Sequence, residues 1–162
     1  MKLVPALQAD KSAGFTLIEL MVTVVIAAVL VSIALPMYSA QVRQSRRSEA
    51  RTALLDMASR EERYASTNSV YSSATANLGY YGTFPATVGS GYYQVSACVN
   101  TAIASCPGAD AGTGATFLLT ATPVATSPQV KDTQCGSFTL DSTGAQNVTG
   151  TASATPATCW NN

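Results

Sequence analysis

One carboxylate interrupts a long uncharged run. Glu19 stands near its start, and no charged residue follows until Arg43. A carboxylate in hydrocarbon costs roughly 2.5–3.5 kcal/mol, so it requires a named partner. The nearest candidate is a new amino group on Phe15, made by cutting the chain after Gly14. The chemistry such a partner would offer is charge pairing, not turnover of a substrate. The second reactive set is four cysteines, Cys98, Cys106, Cys135 and Cys159, all in the second half of the chain. An even count beyond an apolar segment points to disulfides in an oxidising compartment, with three pairings open. No CxxC knuckle is present, which argues against zinc.

Other chemistries fall away by composition. The 162 residues include no histidine, which removes Ser-His-Asp and Cys-His catalysis and histidine metal sites. Asp110, Asp132 and Asp141 are isolated, so no calcium loop is visible. No enzyme, cofactor or metal site is expected. The formal net charge is zero, so there is no global pull toward nucleic acid or anionic lipid. Arg43, Arg46, Arg47 and Arg51 form a local basic cluster, but after Arg63 the only basic residue is Lys131. DNA recognition needs a basic surface with aromatic neighbours. The cluster reads instead as solvated or interhelix charge, and Tyr92 and Tyr93 as strand core. DNA is a secondary partner on this reading. Asn147-Val148-Thr149 fits a glycosylation acceptor pattern and is read as a plain hairpin asparagine.

The elements that must position these groups follow from hydropathy. Residues 1–14 are short and polar, and an apolar run then extends from Phe15 to about Tyr38. It is long enough for a membrane helix of ~20 residues. Its β-branched residues would favour strand in water, but in a bilayer the backbone must satisfy itself and helix wins. The run is too long for an ordinary secretory signal, although Ser32-Ile33-Ala34 would offer a cleavage site. Counting basic flanks would put the C-terminal part in the cytoplasm. The cysteines argue the reverse and are preferred.

Beyond the run, Ala50, Leu54, Met57, Ala58 and Tyr64 recur at helical spacing. Asp56 and Arg60 make an i,i+4 pair on the polar side. Pro36 is expected to kink the helix or open a turn. Otherwise the helix could continue to about Thr67. Residues 66–91 read as a structured loop anchored by Tyr71, Leu78, Tyr80, Tyr81 and Phe84. Strands follow: one with Tyr93, Val95, Ala97 and Val99 on a shared face, one from Thr116 to Ala125 with Phe117, Leu119 and Ala121 facing one way, one from Gly136 to Asp141, and one around Gln146–Val148. The expected class is α+β. A long N-terminal helix, half transmembrane and half amphipathic, covers a four-stranded antiparallel sheet.

The stretch Gly14-Phe15-Thr16-Leu17-Ile18-Glu19, the long apolar run with Pro36, the amphipathic extension and the small sheet resemble a type IVa prepilin in the same order. Arg60-Glu61-Glu62-Arg63-Tyr64, Thr67-Asn68 and Tyr71 look like the minor and competence pilin group. So do Cys135-Gly136, the Leu140-Asp141-Ser142-Thr143-Gly144 hairpin and the final Cys159-Trp160.

The resemblance implies the pilin fold, with a leader 1–14, an assembly helix 15–38, an amphipathic helix 39–67 and a head 68–162. It implies that prepilin peptidase cuts between Gly14 and Phe15 and methylates the new amine, which Glu19 of a neighbouring subunit then neutralises. A melted segment near Pro36 is a further family feature. Disulfides Cys98–Cys106 and Cys135–Cys159 are favoured, the latter as the family's C-terminal loop.

The implied partners are other pilin subunits, the peptidase, the inner-membrane assembly machinery and the membrane itself. The precursor would sit in the inner membrane with its head in the periplasm, and then in an extracellular pilus. The implied function is a minor or accessory structural subunit supporting assembly, twitching motility, adhesion or DNA uptake. A DNA-binding competence pilin is the alternative, with a type II secretion pseudopilin behind it.

Overall fold

The computed structural model describes residues 14–100, 113–151 and 155–161. The chain divides into two units, one ending at Ser39 and one starting at Ala40. Helix α1, Leu17–Asn68, supplies a segment to each.

In the first unit every described residue from Gly14 to Met37 and Tyr38 is solvent-facing or nearly so, Leu17 being 77% exposed and Leu30 63%. The most apolar 18-residue window has a mean hydropathy of 2.7 and none of it is buried, so by length and composition this segment can cross a membrane. Its hydroxyls do not oppose that. Thr23 and Ser32 donate to the carbonyls of Leu20 and Val29 at 2.8 and 2.7 Å, which hides them from an apolar solvent. No turn opens at Pro36, which lies inside the helix. Proline removes one backbone N–H, and the neighbouring residues stay helical around that single loss.

The second unit holds the core. Ala50, Leu54 and Met57 are fully buried and cluster with the inner face of a sheet. That sheet has five antiparallel strands in the order β2 (Ala86–Val88), β3 (Tyr93–Asn100), β5 (Thr116–Pro123), β6 (Ser137–Asp141) and β7 (Gln146–Thr149). Register explains the core. Val95 sits opposite Ala121, Ala97 opposite Leu119 and Val99 opposite Phe117, while Leu119 and Ala121 in turn face Leu140 and Phe138. The alternating residues of three strands are thereby aligned on one face. Tyr93 and Phe138 meet edge to face at 6.1 Å, and Trp160 closes the row against Phe138 at 5.7 Å.

The sheet has five strands where four were expected. The added strand, β2, lies inside the segment read as a loop. Three residues are too few to show a period, and β2 exists because Ala86–Val88 pairs along the edge of β3. The same segment contains β1 (Tyr71–Ser72), which pairs with β4 (Thr113–Gly114), and a short helix α2 (Thr75–Leu78). Leu78 and Phe84 are buried anchors as expected, but Tyr81 is 99% exposed and anchors nothing. A 3₁₀ turn, Pro128–Lys131, and a C-terminal helix α3, Pro156–Trp160, complete the unit.

Candidate functional site

The N-terminal group lies in the first unit. Thr16 caps α1, its hydroxyl accepting from the Glu19 N–H at 3.3 Å. Glu19 occupies the first helical turn, where partial positive charge favours a carboxylate. Among the described residues, its carboxylate has no hydrogen bond or ion pair. Phe15 is 83% exposed. At Gly14 an added Cβ would meet nothing within 4 Å, so the fold itself makes no demand for glycine there. Thr16 was missed as a cap, although Thr-x-x-Glu before an apolar run is its signature.

The basic cluster lies in the second unit and is largely committed there. Arg46 stacks on Tyr92, 3.8 Å from the ring centroid. Arg47 grips Asp132 with two hydrogen bonds of 2.7 Å each and also donates to Gln134 at 3.2 Å. Arg51 donates to the carbonyl of Trp160 and, at 2.7 Å, to Ser48. The expectation of a solvated or interhelix cluster is therefore corrected: three of its members tie the helix to the loops and C-terminal helix of their own head. Electrostatics follow these contacts. The hydrogen bond to Asp132 raises Arg47 above its ordinary value, whereas burial and the neighbouring Arg47 lower Arg51. The Asp56–Arg60 pair forms at 2.7 Å. Tyr93 lies in the core as expected, and burial pushes its phenol up to about 12, whereas Tyr92 is half-buried in the turn before β3, under Arg46, and is not strand core.

One charged residue was overlooked. Glu61 is completely buried. Its Oε2 accepts from the Ser72 N–H at 3.0 Å, tying α1 to β1, while Oε1 has no hydrogen-bond partner. Burial raises its pKa to about 7; the Ser72 N–H opposes the shift and Glu62 adds to it. The signal was available, since Glu61 continues the buried series Ala50, Leu54, Met57 at a spacing of four.

Cys135 and Cys159 form a disulfide with Cα atoms 5.8 Å apart, closing a separation of 24 residues. It holds α3 beside β6, and the Trp160 indole N–H donates to Asn147 at 3.1 Å. Cys98 is also disulfide-bonded; its expected partner, Cys106, lies outside the described residues. Asn147 is exposed on β7.

An apolar, membrane-capable helical segment, an amphipathic segment on an antiparallel sheet and a C-terminal disulfide loop together define a type IV pilin. The prokaryotic N-terminal methylation motif matches residues 10–35. The family described as type IV minor pilin ComP, DNA uptake sequence receptor, matches residues 36–139. The chain belongs to this ComP family of type IV minor pilins. Among solved structures it is similar to a type IV pilin from Shewanella oneidensis, with 26% identity and a TM-score of 0.39 over 64% of this chain and 89% of that one. No curated protein matches the chain. As a minor pilin of this family it assembles with other pilins and is processed by the peptidase that acts on the motif. Its apolar helix fits membrane anchoring before assembly.

Proposed function

We propose that this chain joins a type IV pilus as a minor subunit after cleavage between Gly14 and Phe15, and that it serves DNA uptake there. The observation carrying the first part is the methylation motif over residues 10–35, which contains Gly14, Phe15 and Glu19. The Glu19 carboxylate, without a hydrogen bond or ion pair among the described residues, supports a partner supplied by processing. Two opposite charges in a dry environment are tolerable only when closely paired. The methylated Phe15 amine of a neighbouring subunit meets that need during assembly. The precursor is held in the inner membrane with its head in the periplasm, where its disulfides form, and moves to the extracellular filament. The chain is a structural and binding subunit and no enzyme. That reading rests on a sequence without histidine.

Mass spectrometry of the mature N-terminus tests the processing. A methylated Phe15 supports it; a start at Leu35 would assign an ordinary secretory cut instead. The role in DNA uptake, one of the purposes expected of the chain, rests on the family description over residues 36–139. Binding of duplex DNA by the full chain in detergent should weaken steeply with salt. Affinity indifferent both to salt and to neutralising the exposed Arg63 and Lys131 would remove the receptor role while leaving the pilin reading intact.

A further inference from the structure

A polar cleft of about 360 Å³ lies in the second unit, with Arg43, Arg47, Lys131 and Asp132 among its walls. The volume suits a small ligand. Its carboxylate is already satisfied, since Asp132 is held by Arg47 at 2.7 Å and by the Gln129 side-chain amide at 2.9 Å. Arg43 and Lys131 differ: among the described residues neither side chain has a hydrogen bond or ion pair. Three cations against one carboxylate leave the cleft net positive. Gln44 and Thr133 add an amide and a hydroxyl to the lining. Concave shape, spare cations and neutral donors are the chemistry of a phosphate site.

We propose that this cleft takes the phosphate headgroup of an anionic phospholipid while the chain is anchored in the membrane. The proposal goes beyond the pilus function but rests on that anchoring. Arg43 lies five residues beyond Tyr38, where the apolar run ends. Five residues reach at most about 18 Å even when extended. The headgroup layer itself extends roughly 5–8 Å beyond the hydrocarbon on each side. Contact needs less than half of that reach, so the tether permits the cleft to meet headgroups. The neutral chain exerts no long-range pull on an anionic surface, so attraction must come from a local site. A nucleic-acid backbone requires an extended basic track, which two spare cations in a concavity do not provide.

The test uses the full chain in nanodiscs of equal phosphatidylglycerol and phosphatidylcholine, with retained lipids counted by native mass spectrometry. Wild type should keep phosphatidylglycerol selectively. The Arg43→Ala/Lys131→Ala double variant should reduce that selectivity roughly 10- to 30-fold. Arg43→Lys/Lys131→Arg should keep most of it, and thermal unfolding should be unchanged in both. Undiminished selectivity in the alanine variant overturns the proposal. So does inorganic phosphate binding equally well without lipid, which would make the site one for free anions. A short DNA duplex that displaces phosphatidylglycerol and loses binding in the same variant would reassign the cleft to nucleic acid. Vesicle flotation separates the premise: wild type that fails to float overturns the anchoring, whereas wild type that floats without selectivity overturns the lipid site alone.

Discussion

Arg47 and Asp132 are joined by two hydrogen bonds of 2.7 Å, although 85 residues separate them in sequence. Their side chains are only 11% and 2% exposed. The pair pins the helix to the loop after the 3₁₀ turn, and through Gln129 it reaches the hydroxyl of Tyr93 in the core. A charge taken so far out of water must stay paired.

Removing one partner should be worse than removing both. Arg47→Ala strands the Asp132 carboxylate and is expected to cost about 3–5 kcal/mol. Arg47→Met with Asp132→Leu should recover much of that loss. Denaturant unfolding of the full chain in detergent measures both. A double variant as unstable as the single would mean that the pair acts through geometry rather than charge.

Glu61 should make stability depend on pH. Its folded pKa, about 7, lies above the ordinary carboxylate value of 4.5. Between these values the folded chain binds more protons than the unfolded one, so stability falls as pH rises through that window and levels off above it. The loss amounts to at most roughly 3 kcal/mol. Glu61→Gln should match wild type near pH 4 and exceed it at pH 8. Parallel melting curves for the two proteins across that range would refute the assignment.

The Cys135–Cys159 bond closes a loop with a separation of 24 residues. Replacing both cysteines by serine should cost roughly 3 kcal/mol, chiefly by freeing the unfolded chain. The denaturation midpoint reports this. Because both cysteines are buried beside Phe138 and Trp160, near-UV dichroism of the tryptophan should also weaken.

Glu19→Val should leave the head folded and cleavage intact but impair entry into filaments. Purified pili from cells carrying the variant, quantified against wild type, provide the measurement. Equal incorporation would rule out an assembly role for the carboxylate.

Helix and sheet were legible where the chain repeats. Tyr93, Val95, Ala97 and Val99 alternate, and Ala50, Leu54 and Met57 recur, because each set must turn one face to one core. Strand β2 was not legible, since three residues carry no period and only the edge of β3 gives them structure. Tyr81 looked like an anchor because aromatic residues are usually buried somewhere, but the turn around it faces water.

The amino-acid sequence by itself determined the processing motif, the membrane-capable run, the isolation of Glu19 and the class of fold. These are local in sequence, or repeat at the spacing of a helix or strand. Tertiary structure alone decided which arginines are spent and which are spare. Arg46, Arg47 and Arg51 look alike in sequence to Arg43, yet their partners Tyr92, Asp132 and Trp160 come from distant segments. The burial of Glu61 became definite in the same way. Its position on the helix follows from spacing, but the Ser72 N–H and the absence of a second partner depend on how β1 packs there. Charge has no periodicity of its own; its worth is set by the solvent it loses and the partner it meets.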